Sequence, residues 1–317
     1  MNSIKLIAGS SHPHLAQLIA KKLNISVAAV EGIRLPSSET TVVCGENLRD
    51  EDVFILQTGQ GSINDIVMEL MIMISACRKA SARRITAVVP LFPYARQDRK
   101  DQGRAPITAK LMADMLESSG VDHVVTLDLH APQIQGFFTI PVDNLVAEPL
   151  IESFIIAHVD RSSAVVVSPD AGGAKRAADI ADRLDLELAL IHKERQQANE
   201  ISNMVLVGRV EDRECILIDD MADTCGTLAK AADTLMLHGA RSVIAIVSHG
   251  IFSGNALAKI TNSSLKMVVC TNSVPLAPEF EACPKITQID ISSTLAEAIR
   301  RLHNGESVSY LFRNAPI

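Results

Sequence analysis

Short runs of consecutive apolar residues alternate along this chain with longer stretches whose apolar positions recur every three or four residues. The runs at 4–8, 41–44, 52–57, 84–90, 124–127, 164–168, 186–191, 216–218 and 267–271 read as strands. Most lack polar alternation, as expected of strands covered on both faces. The stretches at 15–23, 64–81 and 295–301, and those following Thr108, Lys175 and Leu228, have the spacing of amphipathic helices. Small-residue loops such as Gly9-Ser10-Ser11-His12 and Thr58-Gly59-Gln60-Gly61-Ser62 lead from strand to helix. Strands alternating with helices predict an α/β fold with mainly parallel sheets. Two segments depart from this rhythm. Residues 192–203 (H-K-E-R-Q-Q-A-N-E-I-S-N) have no apolar period and read as a mobile flap or a solvated loop. Asn304-Gly305 reads as a turn that leads into a last strand.

The pattern also repeats. Thr108 to His130 aligns without a gap on Thr227 to His249, matching Ala113 with Ala232, Asp114 with Asp233, Leu116 with Leu235, Gly120 with Gly239 and Val124 with Val243. A weaker parallel relates 19–23 to 180–184. Two similar α/β domains are expected, 1–146 and 147–302, with the tail 303–317 packing back on the first.

Composition narrows the function. The chain has 317 residues, 47% of them hydrophobic, so it can bury two cores. A net charge of −7 and the absence of Trp argue against a nucleic-acid or anionic-membrane platform. No apolar run approaches a membrane span or a signal peptide. The six cysteines have no metal-binding spacing and read as reduced thiols of a cytoplasmic protein.

Three segments carry candidate chemistry. In I-L-I-D-D-M-A-D-T-C-G-T-L (216–228), a buried strand runs into Asp219 and Asp220, then a small polar loop, then a helix. Backbone N–H groups at a helix start suit a phosphate, and adjacent carboxylates suit sugar hydroxyls or hydrated Mg²⁺. Thr227 would serve equally as an ordinary helix N-cap. Segment 91–106, L-F-P-Y-A-R-Q-D-R-K-D-Q-G-R-A-P, is the main cationic patch of an acidic chain, either an anion site or a solvated surface loop. S-P-D-A-G-G-A-K-R (168–176) places glycines between strand and helix, where a backbone can approach phosphates closely.

D-L-H-A-P-Q-I-Q-G-F-F-T-I-P-V-D (128–143), together with S-P-D-A-G-G-A-K-R, H-K-E-R and D-D-M-A-D-T-C-G-T, resembles the ribose-phosphate diphosphokinases, or phosphoribosyl pyrophosphate (PRPP) synthetases, of class I type. The resemblance implies two phosphoribosyltransferase-like domains and Mg²⁺-dependent transfer of the β,γ-diphosphoryl group of ATP to the anomeric hydroxyl of ribose 5-phosphate. Lys193 and Arg195 would be catalytic. Ser37, Ser38, Glu39, Arg96, Gln97, Asp98 and His130 would bind ATP, the first three from a neighbouring subunit. Asp170, Asp219, Asp220, Asp223, Thr224, Cys225, Gly226 and Thr227 would hold ribose 5-phosphate. Asp128, His130, Asp143 and Asp170 match metal-linked positions. Arg49, Arg104, Ser307, Val308 and Ser309 match segments lining an allosteric phosphate site. A homo-oligomer, such as a hexamer, or a hetero-oligomer with related subunits is implied. Ser37 stands where the family pattern has Asp or Asn, and Thr139 where close relatives have Asp, so Thr139 is not counted as a ligand.

Other readings remain open at this level. A non-catalytic regulatory subunit of the same fold would be a partner rather than an enzyme, but the catalytic segments are intact here. A phosphoribosyltransferase would share the acidic-pair loop within a single domain. A generic nucleotide sensor could use two such domains.

Overall fold

The computed structural model describes residues 3–316 apart from 101, 198 and 199, with the backbone alone at 31 and 193–204. By contact the chain divides into two compact units: Met1–Val146 with Ser273–Pro275 and Ile291–Ile317, and Ala147–Asn272 with Leu276–Asp290.

The first unit begins with β1 (Ile4–Ala8) and α1 (Pro13–Leu23), followed by β2 (Val30–Arg34), β3 (Thr40–Cys44) and β4 (Asp52–Leu56). Then come α2 (Ile63–Lys79), β5 (Arg84–Val89), α3 (Thr108–Ser119), β6 (His123–Leu127) and β7 (Val142–Leu145). Its five-stranded sheet has the order β1-β4-β5-β6-β7, parallel throughout. Every residue of β4 is buried, which explains the unbroken apolar run in its sequence. The run at 41–44 lies outside this sheet, in an antiparallel hairpin of β2 and β3.

The second unit opens with α4 (Glu148–His158), directly after the expected boundary between residues 146 and 147. It continues with β8 (Ala164–Ser168), α5 (Ala174–Leu184), β9 (Glu187–Gln197), β10 (Glu200–Val207), β11 (Glu214–Ala222), α6 (Gly226–Leu237) and β12 (Ser242–Gly250). Next are α7 (Ala256–Asn262), β13 (Leu265–Thr271), α8 (Pro278–Glu281) and β14 (Ile286–Ile289). The seven-stranded sheet runs β10-β9-β8-β11-β12-β13-β14, and only β10 is antiparallel to its neighbour.

In this sheet the segment expected as a mobile flap or a solvated loop forms strands. Residues 192–197 extend β9, and β10 pairs with it as a hairpin. A ladder is built from backbone N–H and C=O groups, so the polar composition that hid the strands does not prevent pairing.

The repeat is visible in both units. After α3, Gly120 has φ +101°, and after α6, Gly239 has φ +83°. Each glycine takes the left-handed conformation that closes a helix before the next strand. The aligned histidines differ: His249 lies buried within β12, whereas His130 is exposed beyond the end of β6.

Helix α9 (Ser292–Asn304) belongs to the first unit, although the sequence suggested that the second domain extends to residue 302. Arg84 Nη2 donates to the Leu302 carbonyl at 2.8 Å, and His303 Nδ1 lies 2.8 Å from the Asp52 carboxylate. Gly305, at φ +70°, ends α9, and the Glu306 N–H returns to the Arg301 carbonyl at 2.8 Å. The Asn304-Gly305 turn is therefore the C-terminal end of a helix, and the chain continues into a 3-10 turn, Val308–Phe312, not a strand. No described helix is long and apolar enough to cross a membrane.

Candidate functional site

In parallel sheets the strands all point one way, so the loops after their C-terminal ends gather along one edge, where ligands of α/β proteins bind. The candidate segments follow this rule within each unit. After β5 comes 91–100, after β6 comes Asp128-Leu129-His130, after β8 the 168–173 loop, and after β11 the 223–227 loop.

The strand before the second unit's main loop is longer than its apolar core. Ile216, Leu217 and Ile218 are fully buried, but β11 continues through Asp219 and Asp220 to Ala222. Successive strand residues face opposite sides, so the two carboxylates diverge. Asp219 Oδ1 accepts the N–H of Asp220 at 2.9 Å. Burial raises the Asp219 pKa well above the usual carboxylate range, and the neighbouring Asp220 and Asp170 charges push the same way. Asp170 is held by its own loop: Oδ1 accepts the Gly173 N–H at 3.1 Å, and Ser168 Oγ donates to the Asp170 carbonyl at 2.7 Å.

The 223–227 loop decides between the two roles considered for Thr227. The N-cap of α6 is Cys225, in the left-handed region at φ +58°, and no side chain caps the helix. Thr227 lies inside the first turn, so the ordinary-cap reading fails. Cys225 is buried, and desolvation pushes its thiol up to about 12, which leaves it a packed, protonated loop residue. Asp223 is held by Ser253, whose Oγ donates to Asp223 Oδ1 and whose N–H donates to the Asp223 carbonyl at 3.0 Å. Lys259 of α7 donates from Nζ to the Thr224 carbonyl at 3.0 Å. Sequence reading missed this lysine: no local motif marks it, and only the packing of α7 brings it to the loop.

Lys193 and Arg195 lie on the β9 backbone, opposite Met204 and Ile201 in the ladder, and their side chains lie outside the described residues.

In the first unit, the two ends of the cationic segment behave differently. Leu91, Phe92, Pro93 and Ala95 are buried, and Phe92 meets Phe138 edge to face at 6.0 Å. Arg96, Gln97, Arg99 and Lys100 are exposed, and Asp98 is half-buried. The Gln97 N–H bonds to the Tyr94 carbonyl at 2.9 Å, and the Gln97 carbonyl accepts the Ala109 N–H at 3.2 Å, fixing the loop to α3. Asp128 is buried in the left-handed region at φ +42°, with its N–H on the Leu145 carbonyl at 2.8 Å. Side chains rarely occupy that region outside constrained sites. Ser37, Ser38 and Glu39 form the exposed tip of the β2–β3 hairpin, where Ser37 Oγ donates to Glu39 at 2.9 Å.

Asp143 does not join Asp128. It sits on β7 level with Val125, and its carboxylate is 2.7 Å from His123 Nε2. Three residues of strand separate the two levels, about 10 Å at the usual rise. Asp128 and Asp143, both matched to metal-linked positions, thus stand at two different levels of the sheet. Among the described residues no group of three His, Cys, Asp or Glu side chains is arranged to hold a metal ion.

Of the positions matched to an allosteric site, Arg49 and Arg104 are exposed, the latter at φ +66°. Ser307 caps the following 3-10 turn by accepting the Ser309 N–H at 3.2 Å, and Val308 is buried. Arg301 supports that turn by donating to the Ser307 carbonyl at 3.0 Å and lying 5.0 Å from the centre of the Tyr310 ring.

Two units of mainly parallel sheet flanked by helices, with candidate loops at the strand ends, define the chain as a two-domain α/β protein. Family models refine the class: residues 4–120 match the N-terminal domain of ribose phosphate pyrophosphokinase, and 197–313 match the phosphoribosyl synthetase-associated domain. Ribose-phosphate pyrophosphokinase 4 of Saccharomyces cerevisiae is 63% identical over 319 residues, covering 100% of this chain and 97% of its own. Ribose-phosphate pyrophosphokinase 1 of Candida albicans is 61% identical over 316 residues, covering 99% of this chain and 98% of its own. The crystal structure of phosphoribosylpyrophosphate synthetase from Mycobacterium smegmatis superposes with a TM-score of 0.91 at 40% identity, covering 96% of this chain and 100% of that one. The chain belongs to the ribose-phosphate pyrophosphokinase family.

Proposed function

We propose that this protein is an enzyme that makes PRPP and AMP from ribose 5-phosphate and ATP. The observation that carries the site reading is the 223–227 loop. Its left-handed Cys225, with a buried thiol of raised pKa, stands at the start of α6, which in this reading cradles a phosphate next to carboxylates that can receive ribose hydroxyls. The full-length relatives favour catalysis over a non-catalytic regulatory role.

In this reading Asp223, Thr224, Cys225, Gly226 and Thr227 hold the 5-phosphate, and Asp170, Asp219 and Asp220 orient the sugar. Arg96, Gln97, Asp98 and His130 engage ATP, together with Ser37, Ser38 and Glu39 from a neighbouring subunit. The anomeric oxygen attacks the β-phosphorus. The bond from that phosphorus to the α,β-bridging oxygen breaks, AMP leaves with the oxygen, and the hydroxyl proton is released. Lys193 and Arg195 stabilise the charge developing on the oxygens around the β-phosphorus.

The donor chemistry fits Mg²⁺. Asp170 and Asp219 are oxygen donors whose mutual repulsion a cation would relieve. Mg²⁺ keeps several waters and takes one or two carboxylates plus substrate phosphates, so it needs no three-ligand protein cage. When bound, it would neutralise phosphate charge. Arg49, Arg104, Ser307, Val308 and Ser309 form the proposed phosphate-responsive regulatory positions. A cytoplasmic oligomer, a homo-hexamer or a mixed assembly with related subunits, completes the reading.

The test is direct. Purified protein with Mg-ATP carrying label at the β-phosphorus and ribose 5-phosphate should yield AMP and labelled PRPP in equal amounts. No product across a range of Mg²⁺ and phosphate concentrations would favour the regulatory role.

A further inference from the structure

The 223–227 loop sits in acidic surroundings. Asp219 and Asp220 precede it, Asp223 opens it, and Asp170 lies close enough for its charge to act on Asp219. A phosphate monoester brings a further charge of about −1.5 to −2 at neutral pH. Backbone N–H groups and a helix terminus offset only part of that repulsion. A fixed cation at the loop would offset the rest, and α7 supplies one.

Helix α7 is anchored at both ends. Ala256 and Ile260 are fully buried in the second unit's core. At its C-terminal end, Lys285 Nζ donates to the carbonyls of Ile260, Thr261 and Ser263 at 3.2, 3.1 and 3.0 Å. Just before its start, Ser253 holds Asp223 by backbone and side chain. From this rigid support Lys259 reaches the loop, donating to the Thr224 carbonyl at 3.0 Å. Its Nζ lies 3.6 Å from the point where a side chain on Gly226 would begin, which places the ammonium directly over the start of α6. The side chain is exposed, and the Thr224 carbonyl uses one of the three N–H donors of the ammonium. The charge acts within the loop as well, drawing the Cys225 thiol downward against the larger effect of burial.

We propose that Lys259 is a binding residue for the 5-phosphate of ribose 5-phosphate, with one N–H holding the Thr224 carbonyl and the others facing the phosphate oxygens. This rests on the reading of 223–227 as the phosphate loop. The lysine both fixes the loop and supplies the positive charge that its acidic neighbours withhold.

Three substitutions separate charge from architecture. Lys259→Gln keeps an N–H donor for the Thr224 carbonyl but removes the charge, Lys259→Met removes both, and Lys259→Arg keeps both. Steady-state kinetics on the full-length enzyme should show the KM for ribose 5-phosphate raised about 10–100-fold in the Gln and Met variants, the scale of a lost charged hydrogen bond. The Arg variant should stay near the parent. The KM for ATP and the thermal midpoint should not change. Added salt should raise the ribose 5-phosphate KM of the parent more steeply than that of Lys259→Gln.

Thr227→Ala serves as the control for the loop. If it raises the ribose 5-phosphate KM while Lys259→Gln does not, the loop reading stands and the assignment of Lys259 falls. If neither variant moves that KM, both fall. A Gln variant with a lowered thermal midpoint and equal losses for both substrates would reduce Lys259 to a structural strut and overturn the proposal.

Discussion

Asp219 Oδ1 accepts the backbone N–H of Asp220 at 2.9 Å, locking one carboxylate of the pair onto the strand that carries both. Burial, reinforced by the charges of Asp220 and Asp170, holds its pKa above the unfolded value. The folded protein without ligands therefore bears a cost at every pH where the unfolded chain would ionise this residue. The cost is absent below the ordinary carboxylate range, where both states are protonated, grows as pH rises from the ordinary value toward the raised one, and levels off above it. Asp219→Asn should stabilise the ligand-free protein at pH 8 by about 1–2 kcal/mol, a gain of roughly 2–4 °C per kcal/mol in thermal midpoint. The gain should vanish at pH 4, and PRPP synthesis should fall. A variant less stable than the parent at pH 8 would refute the electrostatic account.

The hairpin of β9 and β10 carries the proposed transfer chemistry at Lys193 and Arg195. Lys193→Ala should leave the affinity for ribose 5-phosphate nearly intact while lowering kcat by about 10³–10⁵-fold, the range for removing a cation that stabilises phosphoryl transfer. Isothermal titration with ribose 5-phosphate, paired with turnover measurements, checks both halves. Weak binding with normal turnover would remove Lys193 from the chemistry.

Asp52 is a structural acid. Its buried carboxylate takes Arg84 Nε at 2.8 Å and His303 Nδ1 at 2.8 Å, tying α9 to the first unit's sheet. Asp52→Ala should cost about 2–3 kcal/mol, less than a fully buried pair because Arg84 is partly exposed. Hydrogen exchange should show α9 losing protection first. Uniform loss of protection across the first unit would contradict this local role.

Cys225 should resist alkylation. With its thiol pushed up to about 12 by burial, it remains protonated at pH 8, where an ordinary exposed cysteine reacts with iodoacetamide. Peptide mapping of the native protein should find it unmodified, and Cys225→Ser should retain PRPP synthesis. Rapid inactivation traced to Cys225 would restore a chemical role for the thiol.

Much of the fold was legible in the chain. Strands buried on both faces read as apolar runs, and α1, α2 and α9 carry apolar positions at helical spacing. The 223–227 loop and the glycines near Asp170 were legible as candidates because a turn that is to bind phosphate needs small residues at fixed local offsets. Polar strands were harder. Residues 192–197 pair through backbone groups, so their composition carried no period to read. Asn304-Gly305 was ambiguous because a left-handed glycine serves a helix end as well as a hairpin, and only the conformation of the flanking segments distinguishes the two.

By itself, then, the sequence determined the alternation of strands and helices, the two-unit plan and the motifs whose chemistry is local. Tertiary structure alone decided what depends on distant residues meeting. It set Cys225 rather than Thr227 at the α6 N-cap and engaged Asp143 with His123. It also returned α9 to the first unit and carried Lys259 to the Thr224 carbonyl. Such contacts leave no trace in local periodicity, because the residues that make them are brought together by the packing of whole elements.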